Sequence, residues 1–133
     1  MFRSSVERRF LQLAVAVAGI VPVAAGLSGA LRGAGLLHAT LDMADDSHVR
    51  YLSGLLLGIG LAFWASIPHI ERYAARYRLL AFIVVVGGLS RLLALFLDGG
   101  KRGPVMLFAL TMELVVTPAL CLWQQRVARM SAT

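Results

Sequence analysis

The stretch that decides the fold runs from Leu79 to Gln124 and consists of two apolar segments around a short turn. Residues 79–97 read LLAFIVVVGGLSRLLALFL, residues 98–104 read DGGKRGP, and residues 105–124 read VMLFALTMELVVTPALCLWQ. Each apolar segment is long enough to cross the hydrocarbon core of a bilayer, which takes about 20 residues of α-helix. Each also carries one ionisable side chain well inside it, Arg91 in the first and Glu113 in the second.

Arg91 and Glu113 are expected to meet as a buried ion pair. Arg91 lies about seven residues before the turn and Glu113 about nine after it, which places both ~10–14 Å below the same membrane face. A lone charge at such a depth costs roughly 3 kcal/mol or more, so each side chain needs a partner or water. Because the two helices are consecutive and antiparallel, the opposite charges fall at matched depth.

The composition of the whole chain favours a membrane protein over a soluble helical bundle. Of its 133 residues, 59% are hydrophobic and 15% are charged, whereas soluble proteins have about 45–50% and 25%. The net charge of +6 does not indicate nucleic-acid binding, because the arginines gather at the ends of apolar segments rather than along one helical face. A single cysteine, Cys121, excludes an intrachain disulfide.

Four apolar segments predict four helices, at about residues 10–31, 50–70, 79–97 and 105–124. The arginines concentrate at the amino end, in the second connector and in the tail: Arg3, Arg8, Arg9, Arg72, Arg76, Arg78, Arg126 and Arg129. The positive-inside rule then places both termini in the cytoplasm, which requires an even number of spans. We therefore expect an all-α fold, an integral membrane up-down four-helix bundle forming one domain over residues 1–133.

Small residues indicate where helices approach one another. Gly54 and Gly58 form a GxxxG pattern in the second segment, which predicts a close helix contact and a possible surface for a membrane-protein partner or a second copy. Gly33 and Gly35 are expected to end the first helix. Pro118 removes one helical donor and frees the carbonyl of Leu114, close to Glu113.

The candidate ligand site is a polar cluster in the half of the membrane away from the cytoplasm. Arg50 begins the second helix on that side, and Ser90 and Thr111 add hydroxyl groups near Arg91 and Glu113. Two arginines against one carboxylate leave spare donors, which would suit a lipid headgroup, a fatty acid or a quinone. The alternative is that the Arg–Glu pair only sets the register of two helices.

Two classes of function remain open at this point. One is a non-enzymatic protein that binds membrane lipids, a lipid-like ligand or a membrane partner; the other is a membrane enzyme or redox-complex subunit that handles a quinone or lipid, with Glu113 as proton carrier. Apart from Glu113 in that alternative, the sequence offers no catalytic group and no cofactor motif. The loop residues His38, Asp42, Asp45, Asp46 and His48 match no metal-ligand spacing, so no metal site is predicted.

The chain also resembles a known family through several spaced residues. These are the run 50–54 (RYLSG), the run 88–93 (GLSRLL), the glycine-rich turn ending in Pro104, and Glu113 with Pro118. They resemble the bacterial membrane family filed as domain of unknown function 4345, over Leu31 to Trp123, with a remoter likeness to DoxX-like four-helix membrane proteins. The resemblance implies a small inner-membrane protein with four helices and implies no activity.

Overall fold

The computed structural model describes residues 2–33, 43–97, 99 and 103–133, and it is helical almost throughout. The elements in chain order are α1 (Phe2–Arg32), α2 (Met43–Ser66), α3 (Ala74–Leu97), α4 (Pro104–Thr111), a π-helical segment (Met112–Val116) and α5 (Thr117–Ala132). The last three form one continuous helix, Pro104–Ala132, and four helices are long and apolar enough to cross a membrane. The predicted all-α fold with four potential spans is therefore confirmed, while the side on which the termini lie stays a prediction.

The helices extend beyond the apolar segments from which they were predicted. Helix α1 begins at Phe2 instead of about residue 10, α2 begins at Met43 instead of 50, and α5 continues to Ala132 instead of ending near 124. Hydrophobicity reports the part of a helix that fits the hydrocarbon, and polar turns can continue the same helix into the interface. Helix α1 ends where Gly33 adopts a left-handed φ of 59°, as expected for a glycine after a helix C-terminus.

Apolar side chains face outward along the four helices. Leu31, Leu97 and Val105 are 70%, 76% and 80% exposed, and similar residues follow each helix from end to end. In water such continuous apolar surface would drive aggregation, whereas hydrocarbon solvates it at no cost. The exposed surface therefore fits a lipid environment.

The chain divides into two compact units, which we call the first unit (Gln12–Pro68) and the second unit (Met1–Leu11 with His69–Thr133). In the first unit, α1 and α2 approach closely through glycines of α1. A Cβ atom at Gly26 would lie only 2.7 Å from the Ser53 carbonyl oxygen. Trp64 fills the space beside Gly19 and donates its indole N–H to the Ala16 carbonyl at 3.1 Å. Main-chain contact of this kind is how small residues hold membrane helices together.

The glycines that make these contacts are not those of the GxxxG pattern. A Cβ atom at Gly54 or Gly58 would meet no atom of the described residues within 4 Å, whereas one at Gly60 would lie 2.8 Å from a methyl group of Val23. Gly54 and Gly58 thus lie on a face of α2 that points away from α1. The predicted close contact at these two glycines is absent from the described part of the chain.

In the second unit, a buried glutamine anchors α5 to the connector between α2 and α3. Gln124 has no exposed surface and donates its amide N–H to the Ile70 carbonyl at 2.7 Å. Tyr77 and Val127, both buried, pack in the same unit. A comparable bond in the first unit joins Gln12 to the Ile67 carbonyl at 2.8 Å. Each bond satisfies a connector carbonyl that lies outside regular helix, where no helical donor is available.

Candidate functional site

The candidate site is built on the π-helical segment between α4 and α5. The N–H of Thr117 bonds to the carbonyl of Met112, five residues back, and the Thr117 hydroxyl donates to the same carbonyl at 2.8 Å. Pro118 follows directly and has no N–H. The Glu113 carbonyl would accept from the N–H of Thr117 in an α-helix and from that of residue 118 in a π-helix. The Thr117 N–H bonds to Met112, and Pro118 has no N–H, so the Glu113 carbonyl is left without a helical donor.

This register changes one detail of the sequence-based prediction. An α-helix would leave the carbonyl of Leu114 without its donor, four residues before Pro118. The five-residue spacing observed just before the proline also leaves the carbonyl of Glu113 without its helical donor. One such main-chain acceptor and the carboxylate therefore belong to the same residue. Single π-helical turns of this kind occur frequently at functional sites.

Arg91 and Glu113 form a two-pronged ion pair, as predicted from their matched depth. Arg91 Nε donates to Glu113 Oε2 at 3.1 Å, and Arg91 Nη2 donates to Oε1 at 3.2 Å. Parallel bonds from one guanidinium edge to both carboxylate oxygens orient the two groups more strictly than a single contact would. The pair joins α3 to the π-helical segment within the second unit.

Gly88 is what allows α3 and the π-helical segment to come this close. Gly88 is buried, and a Cβ atom there would lie 2.8 Å from Glu113 Cβ and 2.9 Å from Leu114 Cδ2. Because Gly88 precedes Arg91 by three residues, the two share one face of α3. The space above Gly88 is filled by Glu113 and Leu114, while Gly87 faces open space.

The ion pair is not buried inside the protein, and the expectation of a buried pair is wrong in this respect. The side chain of Arg91 is 43% exposed and that of Glu113 is 17% exposed. The pair instead lies at the protein surface, on a helix whose exposed apolar side chains include Ile83, Leu89 and Leu93. In a bilayer this surface faces lipid or a bound molecule. The guanidinium N–H groups of Arg91 that do not bond to Glu113 therefore need another acceptor.

The two predicted hydroxyl groups bond to their own helices. Ser90 donates to the Val86 carbonyl at 2.9 Å, and Thr111 donates to the Leu107 carbonyl at 2.8 Å. This bond to the carbonyl four residues back is the usual way for a hydroxyl to satisfy itself in a helix. Neither hydroxyl bonds to the ion pair in the described residues, and their role as ligand contacts stays a prediction.

Arg50, the third predicted charge, closes the end of α1 in the first unit. Its Nη1 donates to the carbonyls of Ala30 and Leu31 at 3.0 and 2.9 Å, and its Nε donates to Asp46 at 2.8 Å. These carbonyls belong to the last turn of α1, which has no helical donors of its own. A cation at that position also opposes the negative end of the helix dipole. Arg50 thus has a structural role that sequence analysis missed.

Two of the five loop residues considered for a metal site lie outside the described residues. His38 and Asp42 fall in the stretch that is not described, and among the side chains that the structure does describe, no group of three or more His, Cys, Asp or Glu residues lies close enough to hold a metal ion. Asp46 is engaged by Arg50 in an ion pair.

The fold and this site together define a small membrane-spanning protein with four apolar helices and an ion pair that joins α3 to the π-helical segment. More specifically, the chain belongs to the family of the domain of unknown function DUF4345, whose family model matches residues 10–124. No curated protein and no solved structure matches the chain. The resemblance inferred from the spaced Arg, Gly and Glu residues is thereby confirmed, while the likeness to DoxX-like proteins stays a prediction.

Proposed function

We propose that this chain is a non-enzymatic protein of a bacterial inner membrane that binds a lipid-like ligand at the Arg91–Glu113 pair. The observation that carries the proposal is the exposure of Arg91 on an apolar helix surface. Its Nε–H and one Nη2–H group bond to Glu113, and the others find no acceptor among the residues that the structure describes. Unsatisfied N–H groups at that depth would cost several kcal/mol in hydrocarbon, so a polar group from outside is expected to meet them.

The chemistry of the Arg91–Glu113 pair limits which ligands can bind there. The carboxylate already neutralises the guanidinium, so the ligand needs acceptor oxygens more than it needs a full negative charge. Carbonyl, carboxylate and phosphate oxygens of an amphiphile all qualify, and its chains would lie along the exposed apolar side chains of α3. The Glu113 carbonyl adds one acceptor, which a hydroxyl group of the ligand would satisfy.

The alternative of a membrane enzyme with Glu113 as proton carrier has less support. Both carboxylate oxygens of Glu113 accept hydrogen bonds from Arg91. A proton carrier would have to break this two-pronged contact each time that it took up a proton. The non-enzymatic proposal requires no such opening.

Native mass spectrometry of the detergent-solubilised protein tests the proposal. The wild type is expected to retain a copurifying amphiphile, or added oleate after delipidation, and Arg91→Gln is expected to lose it by about tenfold or more, because charged hydrogen bonds are broken. Arg78→Gln, on the same helix and away from the pair, serves as the control. Equal retention by the two variants, or no bound species in the wild type, would contradict ligand binding at this pair.

The face of α2 that carries Gly54 and Gly58 supports a second, separate proposal about assembly. Both glycines face away from α1 and have open space where a side chain would be. The neighbouring Leu55 and Leu61 are also exposed. A second copy of this chain could place a helix against this face at close range, as GxxxG surfaces allow.

A further inference from the structure

A second polar site lies at the opposite end of α3 from the turn of residues 98–104. A cavity of about 360 Å³ opens there, lined by Arg8, Glu71, Arg72 and by Ala128, Ser131 and Ala132 of α5. All six residues belong to the second unit. The cavity is open to its surroundings, and its lining is more polar than apolar.

The lining of this cavity carries an excess of positive charge. Arg8 Nε lies 3.2 Å from Glu71 Oε2, so this arginine and this carboxylate offset one another. A neighbouring pair, Arg126 and Glu7 at 3.3 Å, is likewise neutral. Arg72 is exposed, and its side chain makes no hydrogen bond or ion pair with any of the described residues. The cavity therefore presents one uncompensated guanidinium.

The position of the cavity relative to the bilayer favours a particular class of ligand. It lies just before α3 enters its apolar stretch, on the side that the arginine distribution predicts to be cytoplasmic. Tyr73, next to Arg72, has its ring 4.5 Å from the Arg76 guanidinium, and such amphipathic rings prefer the headgroup level. Basic pockets between helices at this level bind anionic headgroups, and the planar arginine fork suits phosphate oxygens.

We propose that the cavity lined by Arg8, Glu71 and Arg72 binds a phosphate group, with Arg72 as its main contact. The phosphate belongs either to an anionic lipid of the adjacent leaflet or to a small soluble phosphate ester. Glu71 holds Arg8 beside the cavity and limits the excess charge, so that a single phosphate is sufficient to neutralise it. This site is independent of the Arg91–Glu113 pair.

Native mass spectrometry of the delipidated protein, titrated with dioleoylphosphatidylglycerol, tests whether the phosphate comes from a lipid. The same titration with glycerol 3-phosphate tests whether it comes from a soluble phosphate ester. Wild-type protein is expected to bind one of these probes, and Arg72→Gln is expected to bind it about tenfold more weakly. Arg72 is exposed and has no ion pair in the described structure, so the variant is expected to keep its helical circular-dichroism spectrum.

Arg78→Gln provides the matched control, because it removes the same charge from an exposed position outside the cavity. It is expected to change binding by no more than about twofold, as for a distant surface charge. In an Arg91→Gln background, Arg72→Gln is expected to weaken binding of the probe by the same factor, which separates the site from the proposed function. Binding of neither probe, or equal weakening by Arg72→Gln and Arg78→Gln, would overturn the proposal.

Discussion

Gly88→Ala is the substitution that most directly tests how the ion pair is positioned. The added Cβ would lie 2.8 Å from Glu113 Cβ and 2.9 Å from Leu114 Cδ2, whereas unstrained carbon atoms pack at about 3.5–4.0 Å. The side chain of Glu113 is fixed at its Cβ by the main chain, so the helices themselves must separate by about 0.7–1 Å. Bonds of 3.1 and 3.2 Å to Arg91 would then exceed hydrogen-bonding distance.

The expected loss of stability follows from two opposing effects. Overpacking of this kind destabilises by about 1–3 kcal/mol, and replacing a helical glycine with alanine restores about 0.5–1 kcal/mol. The net change is a destabilisation of about 0–2.5 kcal/mol. Gly87→Ala is the matched control, because a Cβ atom at Gly87 would meet nothing within 4 Å, and it is expected to be neutral or slightly stabilising.

Reversible unfolding in mixed dodecylmaltoside and SDS micelles, followed by far-UV circular dichroism, measures both variants. The free energy of unfolding is expected to be lower for Gly88→Ala than for Gly87→Ala by about 1–3 kcal/mol. If the two alanine variants are equally stable, then Gly88 does not set the distance between α3 and the π-helical segment, and the reasoning fails.

Two further predictions concern the first unit. Arg50→Gln is expected to lower the free energy of unfolding by about 1 kcal/mol, because the carbonyls of Ala30 and Leu31 lose a charged donor that is half exposed; the same micelle titration measures it, and an unchanged midpoint would argue against the capping role. Gly58→Leu is expected to abolish a cross-linked dimer in native membranes without loss of folding, since it blocks the face shared with Gly54; persistence of the dimer, or a wild type that is monomeric, would contradict assembly through this face.

The number of helices and the pairing of Arg91 with Glu113 were predictable from the sequence for simple reasons. Apolar length sets the count of spans, because the bilayer has a fixed thickness. A charge inside such a span needs a partner or water, and an opposite charge at its own depth is the simplest partner. Both arguments depend on distance along the helix axis, which the sequence specifies directly through the rise per residue.

The features that the sequence did not reveal depend on how each helix is rotated about its axis and on the spacing of its main-chain hydrogen bonds. Gly26 and Gly58 are both glycines within apolar segments, yet Gly26 packs against α2 and Gly58 faces open space. The π-helical segment adds a residue to one turn of the last helix, and only Thr117 followed by Pro118 hints at it. The exposure of Arg91 was likewise unpredictable, since hydropathy does not tell which helix face is covered.

The bond between Arg126 and Glu7 has a consequence for how the protein is made. These two residues are 119 positions apart in the chain, and the first turns of α1 belong to the same compact unit as the last helix. The segment that carries Glu7 therefore acquires this neighbour only after the ribosome has translated the residues that separate Glu7 from Arg126. Until then, Glu7 depends on water or lipid headgroups for its partners, and a nascent chain released early would leave that carboxylate unmatched.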